Sequence, residues 1–438
     1  MLTAIYNLAV HQCNFILNPL KRRFSKNKKM RSSLLRNPTV RYYAVAATAP
    51  SAACTATPEC KVLSNKVTVA AYDNNSPIAQ VSIVFRAGSR NETYDTQGIA
   101  HHLRIAAGLG TSVSSAFAIT RNIQQRGGNL ITTLDRESIA YTLQITRNHL
   151  EDSLQYLESA VTKQIFKPWE VQDQLPRLKY ELASVSDTVW VIELLHKAAY
   201  RSGLGYSLFC PEHKVGFNSE NLLHFVNTWC TAPRCAVVGT GVSLAELSAL
   251  GSNLSIKSAD KPTEATKYYG DEIRKETCAS LTNVALAVEG VSLKDEKEAL
   301  ACAILQRTNG VTRVKWGSSV TSLHKQLSRV AGSELFGALT FNASYTDSGL
   351  FGVVLCATPD IIGSLTKETA KWLKSLKVSE NEVVRGKNIL KTEILDAADN
   401  VVCLLESLQQ QALLKGQVSS PISIANAVDK ISASDVKA

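Results

Sequence analysis

The residues best placed to do chemistry are His101-His102-Leu103-Arg104-Ile105, a segment whose apolar neighbours recur at helical spacing. Two imidazoles at i and i+4 share a helix face and can bind zinc. A Glu at i+3 lies close enough to take a proton from metal-bound water. Counted from His101, the base position holds Arg104 and the second ligand position holds Ile105. Arginine accepts no proton at biological pH and its charge repels a cation, while isoleucine offers no lone pair. Starting at His102 gives Ile105 and Ala106, and the Glu212-His213 pair has Phe209 where a first imidazole would stand. No His-Glu-x-x-His occurs, so the zinc-hydrolase reading fails. Gly-x-Ser-x-Gly, Gly-x-Gly-x-x-Gly and Walker-type loops are also missing, which leaves nucleophile and nucleotide sites unsupported.

The elements around these residues form a mixed pattern. Val67–Tyr72 and Val81–Arg86 read as strands between turn-forming stretches, and Ile99–Leu109 as a helix. Leu130–Thr133 and Ser138–Thr146 read as strands, Leu150–Thr162, Glu170–Val185 and Val189–Tyr200 as helices. Leu222–Thr228 starts a further helix before a short strand at Cys235–Gly239. Helices and strands without strict alternation predict an α+β layer fold.

The order then repeats. Val284–Val288 followed by Glu298–Thr308 parallels Val81–Phe85 followed by Ile99–Leu109. Phe351–Cys356 followed by Ile361–Leu376 parallels Tyr141–Thr146 followed by Leu150–Thr162. Leu178-Lys-Tyr-Glu181-Leu182 matches Leu390-Lys-Thr-Glu393-Ile394. Two homologous lobes of mixed sheet and helices are expected: a first domain over 62–248, a linker with a lead-in strand over 249–276, and a second domain over 277–438. The second repeat reaches Ala438 where a helix matching Leu222–Thr228 would begin. It is therefore expected to be truncated, with an unpaired apolar sheet edge that more chain or a partner would cover.

The bulk numbers exclude several classes. The 438 residues are 45% hydrophobic and 20% charged, a soluble globular balance. The net charge of +10 sits almost wholly in residues 1–43, which hold nine Lys and Arg and no acid; the remainder has 39 basic against 38 acidic residues. No general basic surface exists for nucleic acid. Residues 1–43 read as a mitochondrial presequence followed by an extended segment over 44–61. Met30-Arg-Ser-Ser-Leu-Leu-Arg36 suffices alone as a leader, with 1–29 an extension. Ten cysteines without a Cys-x-x-Cys pair read as free thiols in a reducing compartment.

Phe85-Arg-Ala-Gly-Ser-Arg90, Gly98-Ile-Ala-His-His-Leu103, Arg126-Gly-Gly128 and Leu195-His-Lys-Ala-Ala-Tyr200, in this order across two lobes, resemble the inverzincin (pitrilysin-type) family. Its mitochondrial members are the processing-peptidase subunits and the core proteins of ubiquinol–cytochrome c reductase (complex III). The resemblance covers about residues 60–438 and implies a clam-shell of two lobes. Arg41-Tyr42-Tyr43-Ala44 resembles the pattern cut by the matrix processing peptidase. Glu181 falls near the family's third zinc ligand, but Glu393 repeats it in the lobe that holds no metal in this family. A structural pairing or capping role for Glu181 is preferred, and His101, His102 and His196 are read as hydrogen-bonded core histidines. The active members' site is degenerate at His101, Arg104, Ile105 and Glu181, which implies a non-enzymatic subunit with no metal or cofactor.

The stretch 309–321 has two separated glycines, unlike the mobile glycine-rich loop of the non-catalytic processing-peptidase subunit. With Phe341–Gly352 and Tyr268–Arg274 it is similar to core protein 2 of the family. That branch implies a structural role on the matrix side of the mitochondrial inner membrane. Its partners would be a core protein 1-like subunit, cytochrome b, cytochrome c1 and the iron–sulfur subunit. The presequence-binding subunit is the alternative.

Overall fold

The computed structural model describes residues 57–437, apart from 215, 260, 278, 310–321 and 377. The presequence with Arg41, Tyr43 and Ala44, and the glycine-spaced stretch 310–321, lie outside the described residues.

The first lobe runs β1 (Glu59–Val62), β2 (Thr68–Tyr72), β3 (Ile78–Phe85), α1 (Ile99–Ala106), α2 (Ala116–Gln125), β4 (Asn129–Leu134), β5 (Ile139–Thr146), α3 (Leu150–Thr162), α4 (Pro168–Asp173), α5 (Leu175–Ser184), α6 (Asp187–Tyr200), α7 (Ser219–Trp229), β6 (Cys235–Thr240) and α8 (Leu244–Asn253). Its six strands lie in the order β1-β2-β6-β3-β5-β4. Central β3 is antiparallel to both neighbours, with Val81 opposite Leu143 and Gly239, whereas β2 and β6 are parallel. Strand side chains alternate between faces. Val69, Val81, Ile83 and Val237 therefore pack under α1, α3, α7 and α8, while Ala70, Ala236 and Val238 face the other way.

The second lobe runs β7 (Thr282–Glu289), α9 (Glu296–Asn309), α10 (Ser322–Ala331), β8 (Phe336–Ser344), β9 (Gly349–Ala357), α11 (Pro359–Lys374), α12 (Glu380–Asp399), α13 (Val401–Lys415), α14 (Pro421–Lys430) and α15 (Ala433–Lys437). Its described strands lie β7-β9-β8. Among the described residues β7 pairs on one side only, and Val288 near its end is 45% exposed.

Each lobe lends a helix to the other. Leu404, Leu405, Leu408 and Ala412 of α13 cover the Ala70–Ala236–Val238 face of the first sheet. Ile192, Ala199 and Tyr200 of α6 pack on Phe341, Ala343, Leu350 and Val354 of the second. These are the helices whose ends look alike in the repeat, at Ala199–Gly203 and Ala412–Gly416. The exchange buries both second faces, which would otherwise present apolar sheet to water.

Several expectations need correction. The first sheet begins at Glu59, inside the segment read as extended, because β1 pairs antiparallel with β2. The helix expected over Glu170–Val185 breaks at Gln174, since Pro176 lacks an N–H and is tolerated only in a first turn. The lead-in strand around Tyr268–Arg274 joins no sheet; the Tyr269 N–H instead donates to the Ala199 carbonyl at the end of α6, 2.8 Å away. Helices α2, α8, α10, α14 and α15 were not anticipated. The described cysteines are all free, as expected. No helix among the described residues is long and apolar enough to cross a membrane.

Candidate metal centre

Helix α1 carries the residues in question. It starts at Gly98, whose φ of 90° is left-handed and whose absent Cβ would meet Cys210 Cα at 2.5 Å, so only glycine fits. The Gly98 and Ala100 N–H groups donate to Glu92, at 2.8 and 2.9 Å. Burial pushes the Glu92 carboxyl up to about 8, while those two N–H groups and the Lys214 charge pull the other way.

His101 is buried, and both its nitrogens are engaged. Its Nδ1 accepts from the Cys210 N–H at 3.2 Å, which places the proton on Nε2, and that N–H points at Glu181 Oε2, 3.2 Å away. Burial and the neighbouring Arg104 charge lower its pKa to about 4 against the pull of Glu181, so the ring is neutral at pH 7. Arg104 Nη2 donates to the same Glu181 oxygen, and Arg177 Nε donates to the other at 3.3 Å. Burial would raise the Glu181 carboxyl, but the Arg104 charge and the hydrogen bonds from His101 and Arg104 hold it below the usual range. Ile105 packs on Leu178, Leu182 and Cys210. His102 donates from Nδ1 to the Gly98 carbonyl at 3.1 Å and accepts the Gly216 N–H at 3.4 Å.

The structure thus brings His101, Arg104 and Glu181 together, and the set does not fit zinc. The imidazole's one lone pair is spent on a backbone N–H, the carboxylate is held by a guanidinium, and Ile105 has nothing to donate. Among the described residues no three His, Cys, Asp or Glu side chains gather where they could hold a metal ion. Activation of water has no base here: Glu181 is an ion-pair partner with a depressed pKa, and both oxygens of Glu92 accept backbone N–H groups at the start of α1.

The second lobe repeats the arrangement without its histidine. Arg307 Nε of α9 donates to Glu393 Oε2 of α12. These helices correspond to α1 and α5, and Glu393 corresponds to Glu181. Both lobes display such a pair: an arginine on the helix that follows β3 or β7 ties down a carboxylate on a later helix. His196 is also a satisfied core group, with Nδ1–H on the Ile192 carbonyl at 2.8 Å and the Tyr345 hydroxyl on Nε2 at 2.7 Å.

A second polar cluster, which the sequence did not single out, lies where the lobes meet. Arg90 reaches Glu137 at 2.6 Å, Asp347 Oδ1 at 2.8 Å and the Glu264 carbonyl at 3.0 Å. Thr346 N–H donates to Glu137 at 3.0 Å, and the Tyr200 hydroxyl donates to the Gly349 carbonyl at 3.0 Å. Arg90 ends the motif Phe85–Arg90, but only the fold reveals that its partners lie 47 and 257 positions away. The buried Arg136–Glu193 pair, 2.6 Å apart, braces the same region.

Comparison with known proteins matches this architecture. Residues 67–212 match the family described as insulinase (peptidase family M16), and residues 216–390 the peptidase M16 inactive domain. The chain is 33% identical over 384 residues to the human cytochrome b-c1 complex subunit 2, mitochondrial, covering 85% of this chain and 84% of that protein. The rat protein of the same name is 32% identical, covering 85% and 84%. A probable mitochondrial-processing peptidase subunit alpha-1 of Arabidopsis thaliana is 26% identical, covering 85% and 77%. Two lobes of α+β build, a repeated Arg–Glu clasp and these matches agree: the chain belongs to the M16 peptidase family, in a form whose metal centre is closed.

Proposed function

We propose that the chain is a non-catalytic core subunit of mitochondrial ubiquinol–cytochrome c reductase, complex III, of the core protein 2 type. The observation that carries this reading is the Arg104–Glu181 pair, which fills the place of a metal with a cation–carboxylate contact. Helices that serve hydrolysis elsewhere in the family here serve packing. The higher identity to cytochrome b-c1 complex subunit 2 than to processing-peptidase subunits supports the same assignment.

On this reading the two lobes form a rigid shell on the matrix side of the inner membrane, beside a core protein 1-like subunit, and support cytochrome b, cytochrome c1 and the iron–sulfur subunit. Residues 1–43 serve as the presequence, removed after Arg41-Tyr42-Tyr43, so that the mature chain starts at Ala44. The domain limits are those of the repeat, 62–248 and 277–438. Purification of the native protein from mitochondria tests the proposal. Co-migration with cytochrome b and cytochrome c1 is expected; isolation as a soluble heterodimer that cleaves presequences would instead establish the processing-peptidase reading.

A further inference from the structure

A cavity of about 560 Å³ opens at the junction of the lobes, within the ~300–1,000 Å³ range of small-ligand sites. Its apolar wall is built from Ala299, Leu300 and Ala303 of α9, Leu390 and Ile394 of α12, and Leu414 of α13. The polar rim is cationic. Glu296 contributes the one carboxylate, and Lys415 neutralises it at 3.1 Å. Arg86 and Lys294 are left over: among the described residues neither side chain makes a hydrogen bond or ion pair. Arg86 is also half-buried and fixed at its root, since its N–H donates to the Arg234 carbonyl at 2.8 Å and its carbonyl accepts from Arg234 Nε at 3.0 Å. A half-buried guanidinium facing an apolar wall without a partner is costly, and its fork matches carboxylate or phosphate.

We propose that this cavity binds an anionic amphiphile: one carboxylate or phosphate head on a flexible acyl chain, with Arg86 taking the head and the α9, α12 and α13 walls the chain. A small polar anion would leave the wall unused. A basic peptide, such as a presequence, would meet two uncompensated cations.

The full chain is titrated with dodecanoate, dodecyl phosphate, dodecyltrimethylammonium and inorganic phosphate, against a fluorescent fatty-acid probe. Both anionic amphiphiles are expected to displace the probe, and the ammonium and the inorganic phosphate to fail. Arg86→Gln should weaken dodecanoate by about tenfold or more while Arg86→Lys recovers part of it, as a charge-assisted contact requires. Thermal melting checks that both variants fold. Ala303→Phe, which fills the wall, should abolish displacement; if it fails to fold, the Arg86 pair decides alone. Stronger displacement by a lysophospholipid than by dodecanoate assigns a membrane-lipid source, the reverse a free acid, and either upholds the site. Equal binding of the ammonium, equal binding by Arg86→Gln, or binding of inorganic phosphate as tight as dodecyl phosphate overturns it.

Discussion

At the residue scale, Arg104 and Ile105 decide the chemistry. His101 does not serve as a cation ligand here, because its one lone pair, on Nδ1, accepts the Cys210 N–H and Arg104 already occupies the Glu181 carboxylate. This has a pH signature. His101 has a folded pKa near 4, below its ordinary 6.5, so the unfolded chain binds more protons between these values. The stability it contributes is full above about pH 6.5 and is lost on acidification, on the order of 2–3 kcal/mol by pH 4. Glu181, also depressed, acts with the same sign in the carboxylate range. Glu92, raised to about 8, acts with the opposite sign, so the test is a difference. Urea midpoints of wild type and His101→Gln measured from pH 7 to 4 should converge as pH falls. Parallel lines would mean that the ring is not held in its neutral form.

At the scale of elements, function lies in how helices are shared. Leu408 of α13 is buried against the first lobe's sheet although it belongs to the second repeat. Leu408→Ala should cost about 2–5 kcal/mol. Hydrogen exchange is expected to speed up in β2 and β6, far away in sequence, and not in α12 alone. Most of these elements could be read beforehand. Alternation marked Val81–Phe85, and Leu150–Thr162 coincides with its helix from end to end, because period and burial agree there. The degenerate site was legible too, since Arg104 and Ile105 fail by residue type alone. What escaped was whatever depended on tertiary partners or local capping. Helix α8 straddles the boundary drawn between the first domain and the linker at 248/249, although Ser243 and Glu246 form a capping box that announces it. The strand expected at Tyr268–Arg274 has the right composition but no neighbouring strand to pair with in the described chain, and propensity without a ladder does not make a sheet. Arg90 and Asp347 belong to different lobes, and no local pattern links them.

At the scale of the whole molecule, the two repeats act as one body. The α6–α13 exchange and the Arg90–Glu137–Asp347 cluster both cross the junction, so neither lobe completes its core alone. Asp347→Ala should destabilise by on the order of 2–3 kcal/mol, less than the ~3–5 of a fully orphaned buried charge, because Glu137 still pairs with Arg90. Calorimetry is expected to show a single transition moved to lower temperature; two resolved transitions would show that the lobes fold independently. Two lobes interlocked in this way, without a metal cluster among the described residues, suit a supporting subunit. The most direct test of that reading is the zinc content of the purified native protein after equilibration with excess zinc and removal of the unbound metal. No zinc attributable to this chain is expected. One zinc per chain, lost when His101 is replaced, would contradict it.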